Sequence, residues 1–213
     1  MEVWVAYSFL GKNNSGRLEE LFSQLPENLV KSVNQYQDVS DRKSRMISKL
    51  LLEILVRKIV PDQNFFWNLY QKDSFSKAYF EGLEMNFSAS HHENFSVVCA
   101  TRKKQCGIDS ELIKPLAVDV YNDFLHANEK EFIHEQINPQ TAFFEIWTKK
   151  EAVLKASGLG ISHELQSIDL HENAVQINSE KYFTKELNLS ENSITYIATT
   201  DEITRLNIEE IIF

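Results

Sequence analysis

The chain has 213 residues, 43% of them apolar and 25% charged, a balance that suits one large domain or two small ones and excludes disordered, collagen-like and coiled-coil chains. Its formal net charge of −9 argues against nucleic acid as the main partner, because that affinity rests on lysine and arginine neutralising phosphates. No apolar run approaches the roughly 20 residues of a membrane helix, the start Glu2-Val3-Trp4-Val5-Ala6 lacks the n- and h-regions of a signal peptide, and Cys99 and Cys106 alone imply no disulfide framework; the expectation is a cytoplasmic protein with no membrane contact and two reduced, partly buried thiols.

Alternation of Val3, Val5 and Tyr7 predicts a strand over 1–8. Leu18, Leu21, Phe22 and Leu25 predict a helix over 16–25, ended by Pro26, with a second over 27–36. A longer helix over 41–60 carries Ile47, Leu50, Leu51, Ile54, Leu55 and Ile59 on its core face and stops at Pro61. Phe65, Phe66, Trp67 and Tyr70 read as a short helix packed on that core. Two strands, 85–90 and 95–101, form a hairpin with the polar tip His91-His92-Glu93-Asn94, and a third, about 105–112, is expected beside them. Helices follow at 116–126, at 128–137 with Asn128 as N-cap, and after Pro139. From 167 onward the pattern turns to strands: 167–170, 173–178, 181–187, 193–199 and 207–213. The chain therefore reads as α+β, with a hinge near Lys103-Lys104 dividing it into 1–104 and 105–213. Each half combines helices with a mostly antiparallel sheet, and no internal sequence repeat is visible.

Three acids and a lysine stand out. In Cys106-Gly107-Ile108-Asp109-Ser110-Glu111, a strand, Asp109 and Glu111 are two apart and point to one face. Two carboxylates on one face repel unless a cation sits between them, and Mg2+ suits oxygen ligands while keeping room for water and substrate phosphate. Glu151 and Lys155 lie one helical turn apart, where one can accept a proton and the other donate one. Taken alone, an Asp-x-Glu strand is most often a solvated sheet face and an i,i+4 Glu/Lys pair a surface ion pair. The apolar flanks Ile108, Leu112, Trp147, Val153 and Leu154, with the helix stop Gly158-Leu159-Gly160, favour a site. Basic clusters at Arg42-Lys43, Arg45 and Lys49, at Arg102-Lys103-Lys104, and at Lys149-Lys150 with Lys155 suit a small polyanion or an acidic protein surface; their bland reading is a solvated face.

Phe87-Ser88-Ala89-Ser90-His91, Gly107-Ile108-Asp109-Ser110-Glu111 and Trp147-Thr148-Lys149-Lys150-Glu151-Ala152-Val153-Leu154-Lys155-Ala156-Ser157-Gly158-Leu159-Gly160 together resemble the 4'-phosphopantetheinyl transferases of the large, surfactin-synthetase-activating (Sfp-like) type. Order and spacing match over most of the chain, including the helix start Asp41-Arg42-Lys43-Ser44-Arg45. The resemblance implies a monomer of two similar α/β halves related by a pseudo-twofold. It also implies transfer of the phosphopantetheine arm of coenzyme A to a serine of an apo acyl or peptidyl carrier protein, releasing adenosine 3',5'-bisphosphate. By that analogy Asp109, Glu111 and Glu151 hold Mg2+, Glu151 accepts the serine proton, and Lys155 neutralises or protonates the leaving bisphosphate. His91 and Ser90 seat the nucleotide, and Lys31, Arg45 and Lys77 meet the 3'-phosphate and pyrophosphate. Departures are Ser110 between the acids, which can bond a metal water or simply be small; Ser76-Lys77-Ala78 in place of Gly-Lys-Pro; and His92 after His91, where a solvated turn residue is expected. Trp147 reads as packing, and the surface near Phe124 or Lys149-Lys150 as a conjectural carrier-docking face. The rival readings are a non-catalytic coenzyme A-binding paralogue and a metal-dependent nuclease, the latter disfavoured by charge and by a lysine that follows its acid on a helix.

Overall fold

The N-terminal alternation forms β1 (Glu2–Phe9), followed by α1 (Ser15–Ser23), α2 (Glu27–Asn34) and the long α3 (Val39–Ile59). In the computed structural model, which describes residues 1–63, 66–73, 77–159 and 165–213, the chain continues through β2 (Tyr70–Lys72), β3 (Ala78–Phe80), β4 (Met85–His92) and β5 (Phe95–Arg102). Then come β6 (Cys106–Leu112), α4 (Ala127–Glu135), α5 (Pro139–Ser157), β7 (Ala174–Ile177), β8 (Glu180–Glu186), β9 (Ser193–Thr199) and β10 (Arg205–Glu210). The fold is α+β, in two compact units: Met1–Lys103 with Ile203–Phe213, and Lys104–Glu202.

In the first unit the sheet order is β10-β1-β5-β4. β5 is its buried centre from Phe95 to Thr101, which accounts for its nearly unbroken apolar run. Helix α3 lies on this sheet, burying Ile47, Leu51, Leu55, Val56 and Ile59 against Ala6, Val98 and Ala100. Its start is set by Asp38, whose side chain accepts from the Asp41 N–H, and Pro61 follows its end. The predicted aromatic helix is a 3-10 turn, Phe66–Leu69, with Tyr70 already in β2; Phe65 lies outside the described residues, as do Ser76 and Gly160 of the quoted motifs.

The expectation that 203–213 belongs with the C-terminal half is corrected. β10 pairs parallel with β1, from Glu2↔Arg205 to Tyr7↔Glu210, and the terminal Phe213 N–H donates to Asn13 Oδ1 at 2.7 Å. Lys58 and Lys12 pair with Glu209 and Glu210. A strand's local pattern reports that it is half-buried and not which strand it joins, so this return was invisible to periodicity.

The second unit has the antiparallel order β6-β9-β8-β7, with α5 packed across β6 and β9. The third strand therefore does not lie beside the β4–β5 hairpin; it founds a separate sheet. Asn138 caps α5 by accepting from Thr141 N–H at 3.2 Å, Pro139 fits its first turn, and Gly158 closes it with φ 75 in the left-handed region. Three local expectations change. The helix expected over 116–126 is a 3-10 helix at Val118–Phe124, and the strand expected over 167–170 is absent, a 3-10 turn at Leu165–Ser167 running into irregular chain. The cap of α4 is His126, whose ring nitrogen accepts from Asn128 N–H at 3.2 Å while Glu129 returns to the His126 N–H at 2.8 Å. Histidine is an uncommon N-cap, and the rule that favours asparagine pointed two residues too far.

Candidate active site

In the second unit one glycine sets the geometry. A Cβ on Gly107 would lie 2.0 Å from the Ala152 carbonyl oxygen and 2.4 Å from the Ala156 nitrogen, so the β6 backbone runs directly against α5. Ala152 and Ala156 offer the small side chains this contact needs, and both are fully buried. Strand alternation then aims Asp109 and Glu111 from β6, while Glu151 and Lys155 come from the adjacent turns of α5.

Asp109 is 4% exposed, and its Oδ1 accepts from Lys155 Nζ at 2.6 Å. Burial, then the Asp109 and Glu151 charges, raise Glu111 to about 7 against the opposing pull of Lys155 and Lys114. Burial and Asp109 likewise raise Glu151, with Lys155 opposing. One ammonium thus serves three carboxylates, and the surplus negative charge is held at a cost in proton affinity. Ser110 points to the other sheet face, where its hydroxyl meets Thr195 Oγ1 at 2.9 Å, a partner that neither of its two expected roles, bonding a metal water or simply being small, included.

The donor chemistry fits a hard divalent cation: oxygen ligands only, two of them protonation-prone for want of positive charge. Among the described residues no group of three or more Asp, Glu, His or Cys side chains is placed to hold a metal ion. An ion such as Mg2+ usually keeps several waters and takes substrate oxygens alongside the protein carboxylates.

Lys149 and Lys150 are corrected. Both are nearly fully buried, so neither offers a docking or polyanion face. Lys149 Nζ donates to Glu145 Oε1 at 2.8 Å and lies over the Tyr196 ring. Lys150 pairs with Glu129 at 2.9 Å and donates to the Leu165 and Ile168 carbonyls, tying α5 to α4 and the segment beyond it. Trp147 packs among Tyr121, Phe124 and Phe143, as expected of a residue that fixes the helix. Phe124 is 38% exposed. Cys99 and Cys106 form no disulfide and are fully buried, where partial burial was expected.

The first unit holds a cavity of about 510 Å³ whose lining includes Tyr36, Arg45, Lys49, Tyr70, Lys72 and His91. Arg45 lies 3.8 Å from the Tyr36 ring centroid, and Lys49 Nζ donates to the Tyr70 hydroxyl at 2.5 Å. Burial, then the charges of Lys72 and Arg45, lower Lys49 to about 8. A lysine lowered by its own burial and by two neighbouring cations, in a half-enclosed cavity, marks a site suited to an anion, whose charge would oppose that lowering.

Of the residues expected to bind nucleotide, Arg45 and His91 line this cavity. His92 instead stacks on Phe95, with ring centroids 5.3 Å apart, so it is a packed residue and not a solvated one. Ser90 is buried in β4. Lys31 stands on the open face of α2, paired with Glu27 at 2.7 Å, and is not brought to the cavity. The Lys77 backbone N–H donates to Asp73 Oδ1 at 2.9 Å. The sequence reading assigns no role to Lys72 or Tyr36, places Tyr70 with the core aromatics, and gives Lys49 only as part of a charge cluster. The spacing of Asp41, Arg45 and Lys49 at i, i+4 and i+8 was the signal for a polar stripe on an otherwise apolar helix.

Residues 105–206 match the family model described as the 4'-phosphopantetheinyl transferase superfamily. The 4'-phosphopantetheinyl transferase gsp of Aneurinibacillus migulanus is 28% identical over 174 residues, covering 78% of this chain and 71% of that protein. A 4'-phosphopantetheinyl transferase of Bacillus subtilis is 31% identical over 99 residues, 45% of this chain and 44% of its own. The 4'-phosphopantetheinyl transferase psf-1 of Bacillus pumilus is 37% identical over 84 residues, so the chain spans only 36% of that protein. Over residues 105–206 the chain is similar to the 4'-phosphopantetheinyl transferase superfamily, and over as many as 174 residues to proteins named as 4'-phosphopantetheinyl transferases. No helix among the described residues is long and apolar enough to cross a membrane.

Proposed function

We propose that this protein transfers the 4'-phosphopantetheine group of coenzyme A to a serine of an apo acyl or peptidyl carrier protein, with Mg2+ as cofactor. The observation that carries the reading is the set of three carboxylates and Lys155 assembled by the Gly107 contact.

Asp109, Glu111 and Glu151 would hold the ion, which when bound supplies charge neutralisation at the pyrophosphate. The serine oxygen forms a bond to the phosphorus that bears the pantetheine arm, and the bond from that phosphorus to the bridging oxygen breaks. Glu151 takes the serine proton; its raised proton affinity makes it a better base than an exposed carboxylate. Lys155 balances the charge of the departing adenosine 3',5'-bisphosphate. Arg45, Lys49 and His91 supply the donors and positive charge that seat the coenzyme A phosphates, while Tyr36 and Tyr70 offer flat apolar faces beside them. Such chemistry relies on positioning and charge more than on covalent help. The protein is expected to act as a cytoplasmic monomer.

The test is intact-mass measurement of a panel of apo carrier proteins incubated with this protein, coenzyme A and Mg2+. A metal-dependent gain of one phosphopantetheine unit is expected. Coenzyme A binding without any gain on any carrier would replace the reading with that of a coenzyme A-binding module.

A further inference from the structure

Asp41 is the third residue of α3, where an acid ordinarily serves the helix start. That task is already performed by Asp38, whose carboxylate accepts the Asp41 N–H at 2.7 Å. The Asp41 side chain is turned to other partners. Both of its oxygens accept from Arg45 Nε, at 3.0 Å each, and Oδ1 lies 3.1 Å from His91 Nε2. Burial acts to raise the Asp41 carboxyl, but the hydrogen bonds from Arg45 and His91 outweigh it and hold the group below its ordinary value.

The consequence falls on Arg45. Its Nε is committed to Asp41 and its face to Tyr36, 3.8 Å away, so the guanidinium plane is fixed on two sides. Its terminal amino groups have no other hydrogen-bond partner among the described residues. His91 is fixed in the same way: with Nε2 against a carboxylate, that nitrogen carries a hydrogen and the ring orientation is set. One acid on α3 thereby anchors two cation-capable side chains from α3 and β4, and both line the same cavity. A lone carboxylate beside an anion site would repel the anion. One whose lone pairs are spent on two donors instead converts two mobile side chains into an organised pair of them.

We propose that Asp41 is a positioning residue for phosphate recognition, fixing Arg45 and His91 against one carboxylate so that the Arg45 terminal amino groups meet one phosphate-bearing ligand that Asp41 itself does not touch. The inference rests on the coenzyme A reading for the identity of that ligand. Removing the carboxylate releases both side chains to several rotamers, and the ligand must then order them again on binding.

The experiment is titration calorimetry with coenzyme A on the wild-type chain, Asp41→Asn, Asp41→Glu, and Asp41→Asn in an Arg45→Ala/His91→Ala background, with urea unfolding of each. Asp41→Asn keeps the size of the side chain and is expected to weaken coenzyme A binding about tenfold, the order seen when a group that orients a ligand is removed. Its unfolding midpoint stays near wild type because Asp38 still caps the helix. Asp41→Glu, which keeps the charge, recovers part of the affinity. In the background lacking both partners Asp41→Asn costs nothing further, the non-additivity expected of a residue that acts through others. In the transfer assay the loss appears in KM with kcat nearly unchanged. Wild-type affinity retained in Asp41→Asn, or the same loss with and without Arg45 and His91, overturns the positioning role alone. A wild-type chain that binds neither coenzyme A nor adenosine 3',5'-bisphosphate overturns both this inference and the function it rests on.

Discussion

The two units share a plan and differ in sign. Each lays one long helix, α3 or α5, on a four-stranded sheet, and each helix carries charged side chains one turn apart among apolar neighbours. In the first unit the stripe Asp41, Arg45, Lys49 opens on a cavity that collects Lys72 and His91 and is dominated by cations. In the second, Glu151 and Lys155 meet Asp109 and Glu111, and acids dominate. Burial lowers Lys49 and raises Glu111, and the neighbouring charges, cations in the first unit and carboxylates in the second, add to each shift. A chain of net charge −9 can therefore hold an anion site, because a ligand experiences the local field and not the total. The difference teaches that one helix-on-sheet frame can gather cationic side chains or carboxylates according to four or five positions.

The sharpest way to separate the two roles is to neutralise the base. Glu151→Gln is expected to cut transfer by about 10²–10⁴-fold while leaving coenzyme A affinity within about tenfold, since the cation-rich cavity is intact. Comparable turnover in single-turnover assays would remove Glu151 from its role. Next in size is the buried pair beneath it. Lys150→Met leaves Glu129 without its ammonium partner at full burial, and a cost of about 3–5 kcal/mol is expected in urea unfolding. A loss under about 1 kcal/mol would show that the Leu170 and His126 N–H donors to Glu129 suffice alone.

How much of this was legible in the sequence differs between the units. In the second, Asp109, Glu111, Glu151 and Lys155 are close in sequence by pairs, so strand and helix periodicity placed each pair on its face. What periodicity could not supply was the contact between the pairs, which depends on a missing Cβ at Gly107. In the first unit the cavity is gathered from α2, α3, β2 and β4. No local pattern encodes that meeting, which is why Lys72 and Tyr36 carry no signal in the sequence, Tyr70 reads there only as a core aromatic, and Lys31 is expected where it does not reach. Lys149 and Lys150 misled for the opposite reason: paired lysines look solvated in sequence, and only tertiary partners such as Glu129 and the Leu165 and Ile168 carbonyls permit their burial. β10 joins β1 across nearly the whole chain, a pairing that strand propensity leaves open.

Gly107 offers a test of whether the acid site depends on backbone approach. Gly107→Ala drives a methyl group into the Ala152 carbonyl, so β6 and α5 must separate, at about 1–3 kcal/mol or more. Because the acids and Glu151 sit on the two separated elements, Mg2+-dependent stabilisation is expected to fall along with the unfolding midpoint, whereas coenzyme A binding in the first unit changes little. Unaltered stability would mean that the strand and helix do not touch as described.

The smallest effect reads the charge imbalance directly. Glu111 titrates near 7 in the folded chain against an ordinary 4.5, because burial and then Asp109 and Glu151 disfavour its charged form. A carboxyl raised on folding contributes stability that is fully present below its unfolded value and is lost as pH rises through its folded value. Metal-free protein is therefore expected to lose about 1–2 kcal/mol between pH 4.5 and 7, after allowance for solvent screening, and to level off above that. Mg2+ needs the deprotonated form, so its stabilisation should grow over the same interval and offset the decline. Glu111→Gln should flatten the metal-free profile, and Asp109→Ala should shift the Mg2+ titration to higher concentration. A pH profile of the urea midpoint that is the same with chelator as with Mg2+ would show that the second unit's surplus negative charge is not there to receive a cation, and the contrast between the two units would reduce to one anion site and a buried structural network.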